Sequence, residues 1–140
     1  MEDFEFIEHT ADFGIRVYGK TLPELFVNSA QALFSIILDY KPQAEIQKTI
    51  ELEEENLEDL FVDWMNELIS QFFADKFLPA QYSVSIESKP ELNILKADIT
   101  GEGFNPYERK INKEIKAATY HNLKVEKTKE GYAAEVIFDV

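Results

Sequence analysis

The sequence has 140 residues, 45% of them hydrophobic, which is enough apolar material for a domain with its own core. It contains no cysteine, so disulfides, thiolate metal sites and thiol nucleophiles are excluded. The formal net charge of −13 argues against a protein that holds nucleic acid through phosphate contacts. That charge is compatible with divalent cations, with a basic protein partner, or simply with a soluble surface.

The amino-terminal twenty residues contain five acidic positions and no apolar stretch, so we predict no secretory signal peptide. No run approaches the roughly 18 apolar residues that cross a membrane. We therefore expect a soluble, cytoplasmic protein. No repeat, low-complexity tract or linker divides the sequence, and residues 1–140 are expected to form a single domain.

Two runs of alternating apolar and polar residues, 4–7 and 15–18, predict half-buried strands. Residues 9–12, with the sequence His-Thr-Ala-Asp, fall in the bend between these strands. Two interpretations of His9 and Asp12 are open. Asp and Thr are common turn residues because their side chains bond the nearby backbone, and polar heads at one end of a sheet are also typical of a binding site.

The spacing after Thr21 predicts the first helix, which continues to about Leu38. Thr21 is a suitable N-cap, Pro23 is tolerated in the first turn, and Glu24 completes a capping box. Alternation over residues 45–54 then predicts a strand. Asn56 opens a second helix whose wide apolar stripe includes Trp64. Aromatic residues in this stripe suit either a binding groove or a core, and their helical spacing favours the core.

From Tyr82 onward the period changes to two, which predicts strands over residues 82–87, 92–100, 118–125 and 132–140. Together with the earlier elements this makes about seven strands and two main helices. The sequence therefore predicts an α+β domain, with both helices packed on one face of a mainly antiparallel sheet.

Asn105 and Pro106 are expected to start a short helix that carries the basic residues Arg109, Lys110, Lys113 and Lys116. Ile111 and Ile115 would face inward on this helix. It is the one concentrated basic segment of an acidic sequence, and it is either a solvated helix face or a binding surface.

The printed sequence ends one residue after Asp139. If the last strand pairs near the first strands, Asp12 and Asp139 converge with the terminal carboxyl group. Such a set of negatively charged oxygen ligands suits a hard cation such as calcium, magnesium or manganese. Without a metal these groups would repel one another, and at least one pKa would be expected to rise.

Several motifs of this sequence resemble those of the archease family, and the resemblance runs nearly end to end. They are His-Thr-Ala-Asp at 9–12 followed by Gly14, Gly-Lys-Thr-Leu at 19–22, Trp-Met-Asn-Glu-Leu at 64–68, Lys-Ala-Ala-Thr-Tyr at 116–120 and Phe-Asp-Val at 138–140. Phe13, where an aliphatic residue is usual, and Met65, where Leu is common, are small departures that keep an apolar side chain.

The resemblance implies a non-catalytic protein cofactor of the RtcB-type tRNA-splicing ligase, not an enzyme. Such a cofactor promotes GTP-dependent guanylylation of the ligase and allows multiple turnover. The family's metal site corresponds to Asp12, Asp139 and the backbone of Val140, with calcium in the resting site and magnesium or manganese as alternatives. Lys116 corresponds to a position linked to activation. The family's fold contains a strand-helix-strand-strand module.

The role of His9 stays open between orienting the acidic ligands and shaping the turn, and we favour the structural role. Two other functions are also open. One is a small metal-dependent phosphoester hydrolase using Asp12, Asp139 and His9, although His9 and His121 are the only imidazoles. The other is an RNA-presenting adaptor, which the acidic charge disfavours and the 109–116 segment favours. We expect no contact with DNA or membranes.

Overall fold

The computed structural model describes residues 4–7 and 13–140. Within this part of the chain none of the helices is long and apolar enough to cross a bilayer. The elements are, in order, β1 (Phe4–Ile7), β2 (Phe13–Gly19), α1 (Leu22–Ile37), β3 (Ile46–Glu54), α2 (Leu57–Phe73), β4 (Phe77–Lys89), β5 (Leu92–Gly103), β6 (Ala117–Ala118), β7 (Lys124–Thr128) and β8 (Gly131–Asp139).

The strands form two antiparallel sheets. In the first sheet the order is β1-β2-β8-β6, and β7 also pairs with β8; in the second the order is β3-β5-β4. The predicted α+β class, with antiparallel strands and two main helices, is confirmed, although the strands divide between two sheets. The series β3, α2, β4 and β5 has the order of a strand-helix-strand-strand module.

Both helices begin at the residues that the sequence predicts. The hydroxyl of Thr21 accepts a hydrogen bond from the Glu24 amide at 3.2 Å, and the side-chain oxygen of Asn56 accepts one from the Asp59 amide at 2.8 Å. Each cap satisfies an amide that has no partner inside its helix. Gly19 precedes α1, and a Cβ atom there would collide with the backbone of Leu25. The close approach of β2 to α1 therefore requires glycine.

One hydrophobic cluster joins both helices to both sheets. Trp64 is fully buried within it, and its indole nitrogen donates to the carbonyl oxygen of Phe26 at 2.9 Å. The rings of Phe26 and Tyr82 lie beside the indole, each with a centroid separation of 6.4 Å. The prediction that the aromatic stripe of α2 belongs to the core is confirmed.

The helix predicted after Asn105 is wrong. Glu108 and Arg109 both donate to the Asn105 carbonyl, which closes a single turn. The amides of Asn112 and Lys113 then donate to the carbonyl oxygen of Ile37, at 2.6 and 3.2 Å, instead of to residues four positions earlier. These bonds satisfy a carbonyl at the end of α1 that would otherwise lack a partner. Tertiary hydrogen bonding therefore replaces the local helix.

The strand predicted over residues 118–125 is also interrupted. Leu123 donates to the Tyr120 carbonyl at 3.2 Å, and Asn122 has a φ of 51°, a left-handed conformation that asparagine adopts more readily than most residues. This turn separates β6 from β7. Other strands are longer than predicted: β4 begins at Phe77 and passes Pro79 by an irregularity in its pairing with β5, which is typical of proline in an edge strand.

Candidate functional site

The carboxyl end of β8 lies between two neighbouring strands. Phe138 pairs with Phe13 of β2 on one side and with Ala118 of β6 on the other, and Asp139 pairs with Ala117. Phe138 is fully buried, whereas Asp139 and Val140 are exposed. The last residues of the sequence therefore emerge into solvent from the middle of a sheet.

Lys116 is brought to this end of the sheet by backbone hydrogen bonds. Its amide donates to the carbonyl oxygen of Asp139 at 2.8 Å. Three residues later, the amide and hydroxyl of Thr119 both donate to the carbonyl oxygen of Ile137, at 3.0 and 2.8 Å. Lys116 is exposed and also lines an open groove of about 450 Å³ between α2 and residues 107–117.

Asn66 of α2 supports the same segment from the side opposite β8. Its side-chain oxygen accepts from the Ala118 amide at 2.7 Å, and its side-chain nitrogen donates to the Ala118 carbonyl oxygen at 3.2 Å. The sequence pattern does not single out this residue. The signal that could have identified Asn66 is its position directly after two residues of the apolar stripe, Trp64 and Met65. An amide side chain that is half-buried at such a position needs a hydrogen-bond partner.

The predicted metal ligands are only partly within the described chain. Asp139 and Val140 lie at the exposed end of β8, while Asp12 and His9 lie outside the described residues. Within residues 4–7 and 13–140, the Asp139 carboxylate forms no ion pair, and no three His, Asp or Glu side chains converge as a metal cluster. An exposed carboxylate next to main-chain oxygens is a donor set that suits a hard cation.

The basic segment does not present its charges on one face. The guanidinium of Arg109 lies over the neighbouring rings of Tyr40 and Phe104, with its carbon 4.6 Å from each centroid. The Lys113 ammonium lies 5.2 Å from the Phe13 ring centroid. These cation–π contacts fix the segment to the body of the protein, and they leave Lys116 at the end of β8.

Two carboxylates of α2, Asp59 and Asp63, interact with Tyr120 in the turn that follows β6 and with Glu54 of β3. The Tyr120 hydroxyl donates to Asp59 at 2.7 Å, and this bond is the main reason why the pKa of Tyr120 rises to about 12. On β3, a hydrogen bond with the Asp63 carboxyl, together with charge repulsion from it, raises the pKa of Glu54 to about 7. Glu54 therefore holds its proton in the folded protein at mildly acidic pH.

We predict that replacing Glu54 with glutamine removes a pH-dependent loss of stability. The pKa of Glu54 rises from 4.5 to about 7 on folding, so the folded state binds the extra proton, and stability falls as the pH rises through this window. Relative to wild type, Glu54→Gln should melt at a higher temperature near pH ~8, and the gain should vanish near pH ~4. Calorimetry at both pH values measures this. Glu51→Gln, which replaces an exposed glutamate of the same strand, is the control. An equal rise in its melting temperature near pH ~8 would contradict the prediction.

Comparison with known proteins identifies relatives along the whole chain. A profile of the Archease protein family (MTH1598/TM1083) matches residues 4–140. A protein archease of Methanosarcina acetivorans is 39% identical over 140 residues and covers 98% of this chain and 95% of its own length. A protein archease of Pyrococcus furiosus is 37% identical over 142 residues, with 100% of both chains covered.

Two solved structures share the fold. The solution structure of Methanobacterium thermoautotrophicum protein 1598 has a TM-score of 0.84 and 29% identity, with 100% of both chains covered. The crystal structure of an archease from Thermotoga maritima, described as a possible chaperone, has a TM-score of 0.61 and 26% identity over 96% of this chain and 94% of that one. The family profile and the full-length relatives agree with the resemblance in the sequence motifs, and the chain belongs to the archease family.

Proposed function

We propose that this protein is a non-catalytic cofactor that activates an RtcB-type tRNA-splicing ligase. It promotes the GTP-dependent guanylylation of the ligase and allows repeated turnover. Membership of the archease family supports this proposal, as does the description of the Thermotoga maritima relative as a possible chaperone, since a chaperone acts on another protein. The observation that carries it is the hydrogen bond between Lys116 and Asp139, which holds two exposed, oppositely charged residues at one end of β8.

The proposed metal site comprises Asp12, Asp139 and the main-chain oxygens of Val140. Exposed carboxylate and main-chain oxygens favour calcium, magnesium or manganese over softer metals. When bound, the divalent cation would supply positive charge that phosphate oxygens of a nucleotide can meet. Phe13 pairs with Phe138, so β2 starts beside the end of β8, and Asp12 is the residue that precedes Phe13 in the sequence.

Lys116 has a different role in this proposal. Its ammonium group is a mobile point charge with three hydrogen-bond donors, which suits a phosphate or an acidic side chain of the ligase. The groove between α2 and residues 107–117 gives such a partner a concave surface next to Lys116. His9, which lies outside the described residues, is given a structural role in this proposal and does not orient a reacting group.

A pre-steady-state guanylylation assay tests the function. The purified cognate ligase is mixed with GTP and magnesium or manganese, with and without this protein, and the covalent ligase–guanylate is quantified over time. We expect faster formation of the intermediate and more than one ligation per ligase molecule. Equal rates with and without the protein would refute the proposal.

Two parallel measurements address the other functions. Hydrolysis of phosphoesters by the protein alone with manganese would favour a metal-dependent hydrolase. Salt-sensitive binding of RNA to the protein alone would favour an adaptor that presents RNA, because phosphate contacts weaken as counterions are added. The cofactor proposal predicts that both measurements are negative.

A further inference from the structure

We propose that Asn66 is the positioning residue that holds Lys116 and the end of β8 in their active arrangement. Within the described chain, the side chain of Asn66 is the part of α2 that hydrogen-bonds to β6. The expected role of Asn66 in ligase activation rests on the proposed function. Its role in positioning Lys116 and the end of β8 does not.

The need for a positioning residue follows from the size of β6. This strand has two residues and is bounded by an irregular segment before it and a turn after it. In an antiparallel pair the backbone groups of successive residues point alternately toward and away from the neighbouring strand. Accordingly, the Thr119 amide donates to the Ile137 carbonyl of β8, whereas the amide and carbonyl of the preceding Ala118 both bond to Asn66. The Lys116 amide, just ahead of the paired residues, donates to the Asp139 carbonyl. The Asn66 side chain thus makes the two hydrogen bonds that a further neighbouring strand would make with Ala118.

An asparagine is chemically suited to this task, since its amide offers one acceptor and two donors in a plane. Aspartate keeps the acceptor for the Ala118 amide but places a negative oxygen against the Ala118 carbonyl. Leucine has a similar size and offers neither bond. The helix that carries Asn66 is itself fixed, because Trp64, Met65 and Leu68 are all fully buried. Asn66 therefore adds a hydrogen-bonded link between α2 and the segment that carries Lys116, beside the burial of Ile115 and Ala118 in the core.

Amide hydrogen exchange measured by NMR on the metal-free protein tests the arrangement. In Asn66→Leu we expect the amides of Lys116 and Thr119 to exchange about tenfold faster than in wild type, because their segment opens locally more often. Asn28→Leu is the matched control. Asn28 is a half-buried asparagine of α1 whose side chain donates to the Tyr18 carbonyl at 2.8 Å, so this change removes a similar helix-to-strand bond in another part of the molecule.

The same variants are then assayed for stimulation of ligase guanylylation. Asn66→Leu should lose most of the stimulation, Asn66→Asp should retain an intermediate level, and Asn28→Leu should match wild type. If Asn66→Leu does not fold, as judged by its melting transition, Asn66→Asp provides both readouts.

Three outcomes are decisive. Unchanged exchange at Lys116 and Thr119 in the Asn66 variants would overturn the inference. Faster exchange with wild-type stimulation would overturn the role of this arrangement in activation. If wild-type protein does not stimulate the ligase, the proposed function fails, and faster exchange in Asn66→Leu but not in Asn28→Leu would still support the positioning of Lys116 by Asn66.

Discussion

Replacing Asp139 with asparagine is expected to abolish stimulation of the ligase while leaving the protein folded. Asparagine has nearly the same shape as aspartate, so the bond from the Lys116 amide to the backbone carbonyl of residue 139 should persist. The negative charge is lost, and hard divalent cations bind carboxylates far more strongly than amides. Since ligand charge sets calcium affinity over several orders of magnitude, we expect the affinity to fall at least about tenfold.

Isothermal titration with calcium and the guanylylation assay measure these two effects in the same preparations. Asp98→Asn is the matched control, because Asp98 is an exposed carboxylate in β5 of the other sheet. It should bind calcium and stimulate the ligase as wild type does. The metal site is refuted if Asp139→Asn keeps both wild-type calcium affinity and wild-type stimulation.

Replacing Trp64 with alanine should cause the largest loss of stability, about 3–5 kcal/mol. The indole is fully buried between the two helices and the second sheet, so its removal leaves a cavity in a close-packed core. It also leaves the Phe26 carbonyl oxygen without its donor. Because a domain of this kind is stable by only about 5–15 kcal/mol, a large part of the total would be lost. Urea denaturation followed by circular dichroism measures the difference.

Two further variants separate the causes of this loss. Trp64→Phe keeps an aromatic ring but removes the indole donor, and it should cost less than alanine because part of the cavity is filled. Tyr107→Ala removes an aromatic side chain that is 71% exposed, and it should change the free energy of unfolding by no more than about 0.5 kcal/mol. Equal destabilisation by Trp64→Ala and Tyr107→Ala would contradict a core role for Trp64.

Local chemistry explains why much of the fold is predictable. The caps at Thr21 and Asn56 are satisfied within three residues of chain, and the buried stripes of α1 and α2 follow from helical spacing. The failures lie where the partner is remote. Residues 105–116 have a helix-like pattern, but the Ile37 carbonyl and the rings of Tyr40 and Phe104 hold them in an irregular path. Periodicity contains no information about such partners.

The candidate site shows the same division. Lys116 and Asp139 are predicted separately, from motifs at different places in the sequence, and the structure joins them by a bond that depends on the pairing of β6 with β8. Asn66 was not predicted, because its role exists only when α2 lies beside β6. Asp12 and His9 fall outside the described residues, so their share in the site stays a prediction.

The sequence by itself determined the α+β class, the two helices with their starting residues, the buried aromatic stripe and the motifs of the archease family. Each of these depends on spacing or on contacts between near neighbours in the chain. Only the tertiary structure decided that the strands form two sheets, that residues 105–116 cap α1, and that Asn66 supports the segment bearing Lys116. The physical reason is that these features depend on hydrogen bonds between groups distant in sequence, which become neighbours only after the core has packed.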